Sequence, residues 1–418
     1  MSNVDGSVKS LELFDPGSYL SVPEEITELY FWKFGYNHIL GEGRYFHHVD
    51  DLYGHFLETM RNDPGFRDDL YDKFCFTYNK LNKAVNSKKQ IEYKIQDIIN
   101  KTDTVVLFVK DHFRVDLLNS WMNPVPELSE YFSNMCDYYY NKKFVLVTSL
   151  ENLDKEINKP NCTVISMGGD VTNQIHRFNE YKPANQKIVT PKHSISLNRG
   201  VRNHRTYLVS YLYGLGLDEH TKISYLGMNR TTGNTLHDYL RYYRSEDPNL
   251  RTVEIGFSRF IETDKAYDDP NIYKETTPND NIYNFNHSLR DKYNTSFLEF
   301  VTETNYNEVS FNVTEKFVHS VFGYNIPIIV SSPGYVEFLR TVGFDVFDDI
   351  VDHSYDTELD KLTRLHTLVS NNIDLLTSSR LPREFENNKA RLTRNCEIAT
   401  NHLPVFYHNR FWEQVRKL

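Results

Sequence analysis

The sequence predicts an α/β protein of two domains with a C-terminal helical segment. Three observations carry that expectation. Short apolar runs rich in β-branched residues alternate with amphipathic segments in both halves of the chain. Hydroxylated, acidic and basic residues collect where those runs end. And 418 residues exceed what one ordinary hydrophobic core organises. The expected division is an N-terminal α/β domain over residues 1–185, a second α/β domain over 186–380, and C-terminal helices over 381–418 that pack back on the first domain.

In the first domain, residues 1–50 are loop-rich, with turn signals at Asp15-Pro16-Gly17 and Gly41-Glu42-Gly43. From Val49 to Asn100 the apolar spacing is helical. Strands are expected at Thr104–Val109, Lys143–Thr148 and Thr163–Met167, with a helix over Glu127–Tyr140 between the first two. The first strand ends in Lys110-Asp111-His112 and the third in Gly168-Gly169-Asp170. The polar stretch 180–192, with Pro183 and Pro191, reads as a linker.

The second domain opens with a strand at His193–Leu197, a basic loop, a helix over Arg205–Tyr213 and a strand at Ile223–Leu226. Residues 227–295 are rich in Asp, Asn and Tyr and read mostly as loop. A strand–helix–strand unit follows: the apolar run Phe297–Val301, a helix opened by Thr314-Glu315-Lys316, and the buried-looking strand Pro327–Val330. A short helix (Tyr335–Thr341), a strand-like Phe344–Phe347, and long helices over Thr357–Leu376 and Arg383–His402 complete the pattern.

Composition narrows the function classes. A formal charge of −10 disfavours a protein that coats nucleic acid through bulk charge. The four cysteines (Cys75, Cys136, Cys162, Cys396) form no C-x-x-C pair, so reduced thiols are expected rather than a zinc site or disulfide framework. The adjacent His47 and His48 diverge on any regular element and have no third ligand at a fixed offset. There is no basic-then-apolar leader pattern and no apolar stretch of spanning length, so a cytoplasmic protein without a membrane span is expected.

The chemistry concentrates at two strand ends. Asn198-Arg199-Gly200-Val201-Arg202-Asn203-His204-Arg205 puts three arginines and a histidine between a strand and a helix. Guanidinium forks and a helix amino end together suit an anion. Lys316, at the start of the helix in the second unit, would oppose them as the other jaw of a diphosphate clamp. Glu303 and Glu315 are suited to hydroxyl groups rather than phosphate, and Thr314 to a helix cap or a phosphate donor. Ribose hydroxyls, a diphosphate and sugar hydroxyls occur together in a nucleotide-sugar.

Phe311-Asn-Val-Thr-Glu-Lys-Phe, followed by Ile326-Pro-Ile-Ile-Val, resembles the donor-binding segment of alpha-1,3-fucosyltransferases and related two-domain glycosyltransferases. Ser196-Leu-Asn-Arg-Gly-Val-Arg-Asn-His-Arg is similar to a pattern in glycosyltransferase-like proteins of bacteria and phages. The likeness covers roughly residues 190–360. It implies two Rossmann-like domains (GT-B-like) with a cleft between them and no cofactor beyond a nucleotide-diphosphate sugar. Lys316 and one of Arg199, Arg202 or Arg205 would hold the diphosphate, with Glu315 or Glu303 on hydroxyls. No D-x-D motif stands at a strand end, which favours a metal-independent reaction. The acceptor would be a glycan or, in a viral setting, a hydroxymethylated DNA base. The general base of an inverting transfer would be an acid or histidine of the first domain: Asp111, His112, Asp170 or Glu42.

Overall fold

The structure, a computed structural model, describes residues 14–15, 18–19, 33–34, 104–109, 133, 136–148, 150–166, 168, 178, 180–198, 203–225, 247–262, 284–306 and 309–415. The chain divides into two compact units, one of residues 1–115, 123–173 and 407–418, the other of residues 116–122 and 174–406. Both are α/β and both are built on a parallel sheet.

In the first unit, β1 (Phe14–Asp15) and β2 (Ser18–Tyr19) pair antiparallel. A four-stranded parallel sheet takes its strands in chain order: β3 (Lys33–Phe34), β4 (Thr104–Val109), β5 (Lys143–Thr148) and β6 (Cys162–Ser166). The β5-to-β6 crossover carries one short helix, α1 (Leu153–Glu156). Leu153 and Ile157 are buried with Phe144, Leu146 and Ile165 in this unit's core. Buried Glu151 accepts from Ser166 Oγ at 2.7 Å and pairs with Arg410. Burial drives its carboxyl above the ordinary range despite the pull of Arg410.

The second unit has strand order β10-β9-β7-β8, all parallel: β7 (Ser194–Asn198), β8 (Thr221–Tyr225), β9 (Leu298–Thr302) and β10 (Ile326–Val330). All five residues of β9 and of β10 are buried, including Glu299 and Thr302 of β9 among its apolar residues. From β7 the chain steps outward to β8, then returns across β7 to β9 and continues away to β10. The connections after β7 and β9 therefore leave in opposite directions, and the crevice between these strand ends is the topological switch point of the sheet. The β7–β9 ladder stops at Ser196↔Phe300, before either strand ends, so the strands splay there.

After β7 comes α2 (Asn203–Gly214), buried over nearly its whole length, and after β8 comes α3 (Leu250–Glu262). The two helices touch backbone to backbone. A Cβ at Gly214 would strike the Thr252 carbonyl, and one at Gly256 the Ser210 carbonyl. Helix α3 falls in the stretch read as loop. Its signals were an Asp247-Pro248-Asn249 turn followed by Val253, Gly256, Phe257 and Phe260 at helical spacing, set in a strongly polar neighbourhood.

A short helix α4 (Arg290–Tyr293) precedes β9. Thr314 caps α5 (Glu315–Phe322), accepting from Lys316 N at 3.3 Å, and the apolar face of α5 packs into the core. Helix α6 (Tyr335–Val342) has its first amides held by the Asp356 carboxylate, at 3.0 Å to Val336 N and 3.1 Å to Glu337 N.

Residues 344–347 do not form the expected strand. Phe347 adopts a left-handed φ of 63°, and its N–H donates to the Asp345 carboxylate at 2.9 Å. Arg391 grips Asp345 and Asp349 bidentately, so side chains take over the bonding a sheet would supply. The long helix expected over 357–376 is two, α7 (Lys361–Ser370) and α8 (Ile373–Thr377). Asn372 breaks it, its amide donating to Asp352 O at 3.0 Å and Leu368 O at 2.9 Å. Helices α9 (Leu381–Glu397) and α10 (Leu403–Val415) are joined by a π turn. Residues 381–406 belong to the second unit and 407–418 to the first. No helix among the described residues is long and apolar enough to cross a membrane.

Candidate functional site

The switch point of the second unit gathers the sequence-predicted residues that the structure describes. Asn198 ends β7 fully buried, its Nδ2 donating to Ser196 Oγ at 3.0 Å. Its Oδ1 accepts from Thr302 Oγ1 at 2.9 Å, a bond that bridges β7 and β9 where their backbone ladder has stopped.

Arg205, in the first turn of α2, crosses the same gap. Its Nη2 donates to Thr302 O at 2.8 Å and to Glu303 O at 3.1 Å. His204 Nε2 also reaches Glu303 O, at 3.1 Å, so this nitrogen carries the proton. The carbonyls that splaying would strand are met by these two side chains. The His204 ring stacks on Tyr306 at 4.9 Å, and the fully buried Arg364 guanidinium lies 4.4 Å from the same ring.

Glu303 joins this bridge to the amino end of α5. Its side chain is fully buried, and its oxygens accept from Thr314 N (3.2 Å), Thr314 Oγ1 (2.5 Å) and Tyr335 Oη (2.6 Å). Burial raises its carboxyl above the ordinary range, against Lys316 and these hydrogen bonds. With every oxygen committed inside the protein, Glu303 positions the site rather than meeting a ligand.

Glu315 and Lys316 are the partly exposed members. Their side chains are 22% and 27% accessible, and they pair at 3.1 Å. Lys316 Nζ also reaches Thr314 Oγ1 at 3.0 Å. Burial pushes the Glu315 carboxyl up, but the Lys316 charge together with His319 and the hydrogen bonds from Lys316 and the backbone outweighs it and holds the group at about 2. Behind them His319 is buried beside Tyr181, Nε2 to Oη 3.2 Å, and burial lowers its imidazole to about 4. The edge therefore presents one ammonium and one permanently ionised carboxylate at the amino end of a helix. That combination can meet phosphate oxygens and vicinal hydroxyls side by side.

Asn198, His204, Arg205, Glu303, Thr314, Glu315 and Lys316 thus share one edge of one sheet. Arg199 and Arg202, and the base candidates Asp111, His112, Asp170 and Glu42, lie outside the described residues. Tyr335, Tyr306 and Arg364 support the site and carry no sequence signal beyond being ordinary apolar-face or helix residues.

A second polar cluster was equally silent in sequence. Tyr207 Oη donates to Asp247 Oδ2 and lies 2.6 Å from His366 Nε2, while His366 Nδ1 lies 3.0 Å from Asn249 Nδ2. These contacts fix His366 as the Nε2–H tautomer. They tie α2, the start of α3 and α7 together behind the site. In comparisons with known proteins, the chain matches no family model, no curated protein and no solved structure.

Proposed function

We propose that the second unit binds a nucleotide-diphosphate sugar at this edge, and that the protein is a metal-independent glycosyltransferase of two Rossmann-like domains with a GT-B-like cleft. One observation carries the reading. Lys316 and an ionised Glu315 stand partly exposed at the amino end of α5, beside the switch point that follows the basic 198–205 segment. Lys316, with the arginines at 199 and 202, would neutralise the diphosphate as it leaves. Glu315 would accept hydrogen bonds from ribose or sugar hydroxyls, because at about 2 its carboxyl stays ionised throughout the working pH range. Arg205 and His204 act at one remove, holding the strand ends that carry Thr302 and Glu303. The acceptor is a hydroxyl of a glycan, or of a hydroxymethylated base in DNA, activated by a base from the first domain.

Isothermal titration with UDP and GDP, with and without EDTA, tests the reading. Binding of one nucleotide that survives EDTA is expected. Lys316→Ala or Arg202→Ala should weaken it by roughly tenfold to a hundredfold, the loss of one charge-assisted contact. Binding of neither nucleotide removes the proposed function. Undiminished binding in both variants moves the site elsewhere. Transfer from a radiolabelled donor to cell-envelope extract or to hydroxymethylated DNA separates the two acceptors.

A further inference from the structure

The strands of the second unit begin among cations as well as ending among them. Lys192 and His193 lead into β7, His220 stands immediately before β8, Lys222 is its second residue, and Lys292 lies in α4 ahead of β9. The parallel ladder sets these residues side by side. Ser194 pairs with Thr221 and with Leu298, so His193, His220 and Phe297 meet one residue earlier. Ser194 N donates to His220 O at 3.2 Å and Phe297 N to His193 O at 2.7 Å. The His193 ring meets Phe297 edge to face, with centroids 5.8 Å apart. Alternate residues of a strand share a face, which puts Lys222 on the face of His220 and His193.

The Thr295 carbonyl gathers the remaining members. It accepts from Lys222 Nζ at 2.8 Å and from Thr190 Oγ1 at 3.3 Å. Thr190 Oγ1 also lies 2.8 Å from Lys192 O, and Thr295 Oγ1 donates to Lys292 O at 2.9 Å. Lys192 is exposed, and the other four are half-buried. Of the acids on these elements, Asp218 pairs with Arg259 at 3.3 Å, and Glu299 is buried with Tyr293 Oη and near Lys187. Glu219 and Asp291 are exposed at the borders. Burial, then the charges of Lys292 and Lys192, pushes the Lys222 ammonium down to about 8. Burial, then His220 and Lys222, lowers the His193 imidazole. The fold also leaves His193 Nδ1 shut off from solvent without a hydrogen-bond partner.

We propose that this amino edge of the sheet is a second anion site, which takes a small phosphate-bearing ligand, such as a free oligophosphate, among Lys192, His193, His220, Lys222 and Lys292. Ammonium groups meet phosphate oxygens as point charges, and a bound phosphate offsets their mutual repulsion. A short anion suits the cluster. Glu219 and Asp291 at its borders, on a chain of formal charge −10, repel an extended polyanion. The five residues of β7 and of β9, roughly 16 Å of strand, separate this edge from the switch point, so the inference does not rest on the sugar-transfer reading. An anion that joins the cluster also raises Lys222 again, so affinity falls as pH climbs through about 8.

The test is calorimetric titration of the full-length protein with inorganic pyrophosphate at pH 7 and pH 9. Wild type, Lys316→Ala, Lys192→Gln and Lys222→Gln are compared. Binding should persist in Lys316→Ala, which removes the ammonium of the proposed diphosphate site. It should weaken by about tenfold in each glutamine variant, the loss of one charge-assisted contact. The fall in affinity from pH 7 to pH 9 should be steeper in the wild type than in Lys222→Gln, by up to about tenfold. The titration of pyrophosphate itself is common to both proteins and cancels. No binding in Lys316→Ala, or undiminished binding in Lys192→Gln, overturns the proposal. Equal pH dependence in wild type and Lys222→Gln overturns it too. Lys192 is exposed, so its variant decides the matter even where Lys222→Gln does not fold. A single-stranded oligonucleotide that binds where pyrophosphate does not would give the patch to a polymer and equally overturn the proposal.

Discussion

Glu299 lies in the middle of β9, almost completely buried, with one oxygen accepting from Tyr293 Oη at 2.9 Å. Its other oxygen and the hydroxyl of Ser320 have no hydrogen-bond partner. Burial raises the carboxyl from 4.5 to about 8, despite the Ser320 and Tyr293 hydroxyls and the nearby Lys187 amine. The sign follows directly. A carboxyl whose folded value is raised binds its proton more tightly in the folded than in the unfolded chain. Its stabilisation is therefore full at acid pH and is lost as pH climbs from about 4.5 towards 8. At about 1.4 kcal/mol for each pH unit, the loss is up to about 5 kcal/mol. Glu299→Gln keeps the shape and the acceptor for Tyr293, offers Ser320 a donor, and cannot ionise. The variant should match the wild type near pH 5 and exceed it by several kcal/mol at pH 8. Hydrogen-exchange protection of the β9 amides, measured in both proteins at pH 5, 6.5 and 8 and corrected for intrinsic exchange, reports the local stability. Lys187, whose Nζ donates to Tyr293 O, Gly323 O and Asn325 Oδ1 at 2.8, 2.5 and 2.7 Å, is pushed well below the ordinary lysine range by burial and raised in turn by the Glu299 carboxylate, so the two groups titrate together and the difference between the proteins reports the pair. Parallel pH profiles for variant and wild type would refute the reasoning.

Other perturbations separate architecture from binding. Gly256→Ala drives a methyl into the Ser210 carbonyl, so α2 and α3 must move apart, and thermal unfolding should show a loss of about 2 kcal/mol or more. Tyr207→Phe removes the hydroxyl between Asp247 and His366 and leaves a buried carboxylate oxygen short of a donor; a loss of roughly 1–3 kcal/mol in urea unfolding is expected. Arg205→Ala removes the Arg205 donor from the Thr302 carbonyl and leaves Glu303 O one bond of its pair, that from His204, so its unfolding midpoint should fall, by about 1–3 kcal/mol of stability. Lys316→Ala removes the charge beside Glu315 and Glu303 at a partly exposed position, so its midpoint should fall less than that of Arg205→Ala while nucleotide titration is weakened.

The strands were legible because a buried parallel strand is a largely apolar run: β5 and β10 are such runs, and β9 is one interrupted only by Glu299 before it ends in Thr302. The amino end of α5 was legible for a local reason as well: Thr314 is both the sequence signal and the physical cap. What sequence spacing could not carry was side-chain commitment across the fold. Asp345, Asn372 and Arg391 redirect their backbone neighbourhoods through partners that are distant in the chain or on another element, so a strand-like tetrapeptide became a turn and one helix became two. Helix α3 was hidden by composition, its apolar face being carried by few residues among many polar ones.

The same limit applies to the 198–205 loop, and there it changes the chemistry. As a sequence, its arginines and histidine are interchangeable cations facing an anion. In the structure Arg205 and His204 are buried and bonded to the carbonyls at the end of β9, where the β7–β9 ladder gives out. A splayed switch point needs donors for its freed carbonyls before it can hold a ligand, and these two residues supply them. A guanidinium committed in this way cannot also present its fork to a diphosphate at the same Nη2, so in the proposed diphosphate site the charge would come from Lys316 and from the arginines at 199 and 202. Arg205→Lys distinguishes the two roles. A lysine ammonium carries the same charge but cannot span both carbonyls with a planar fork. If Arg205 is structural, the variant should lose stability while the folded fraction binds nucleotide with unchanged affinity. A stable variant with weakened binding would instead return Arg205 to the diphosphate.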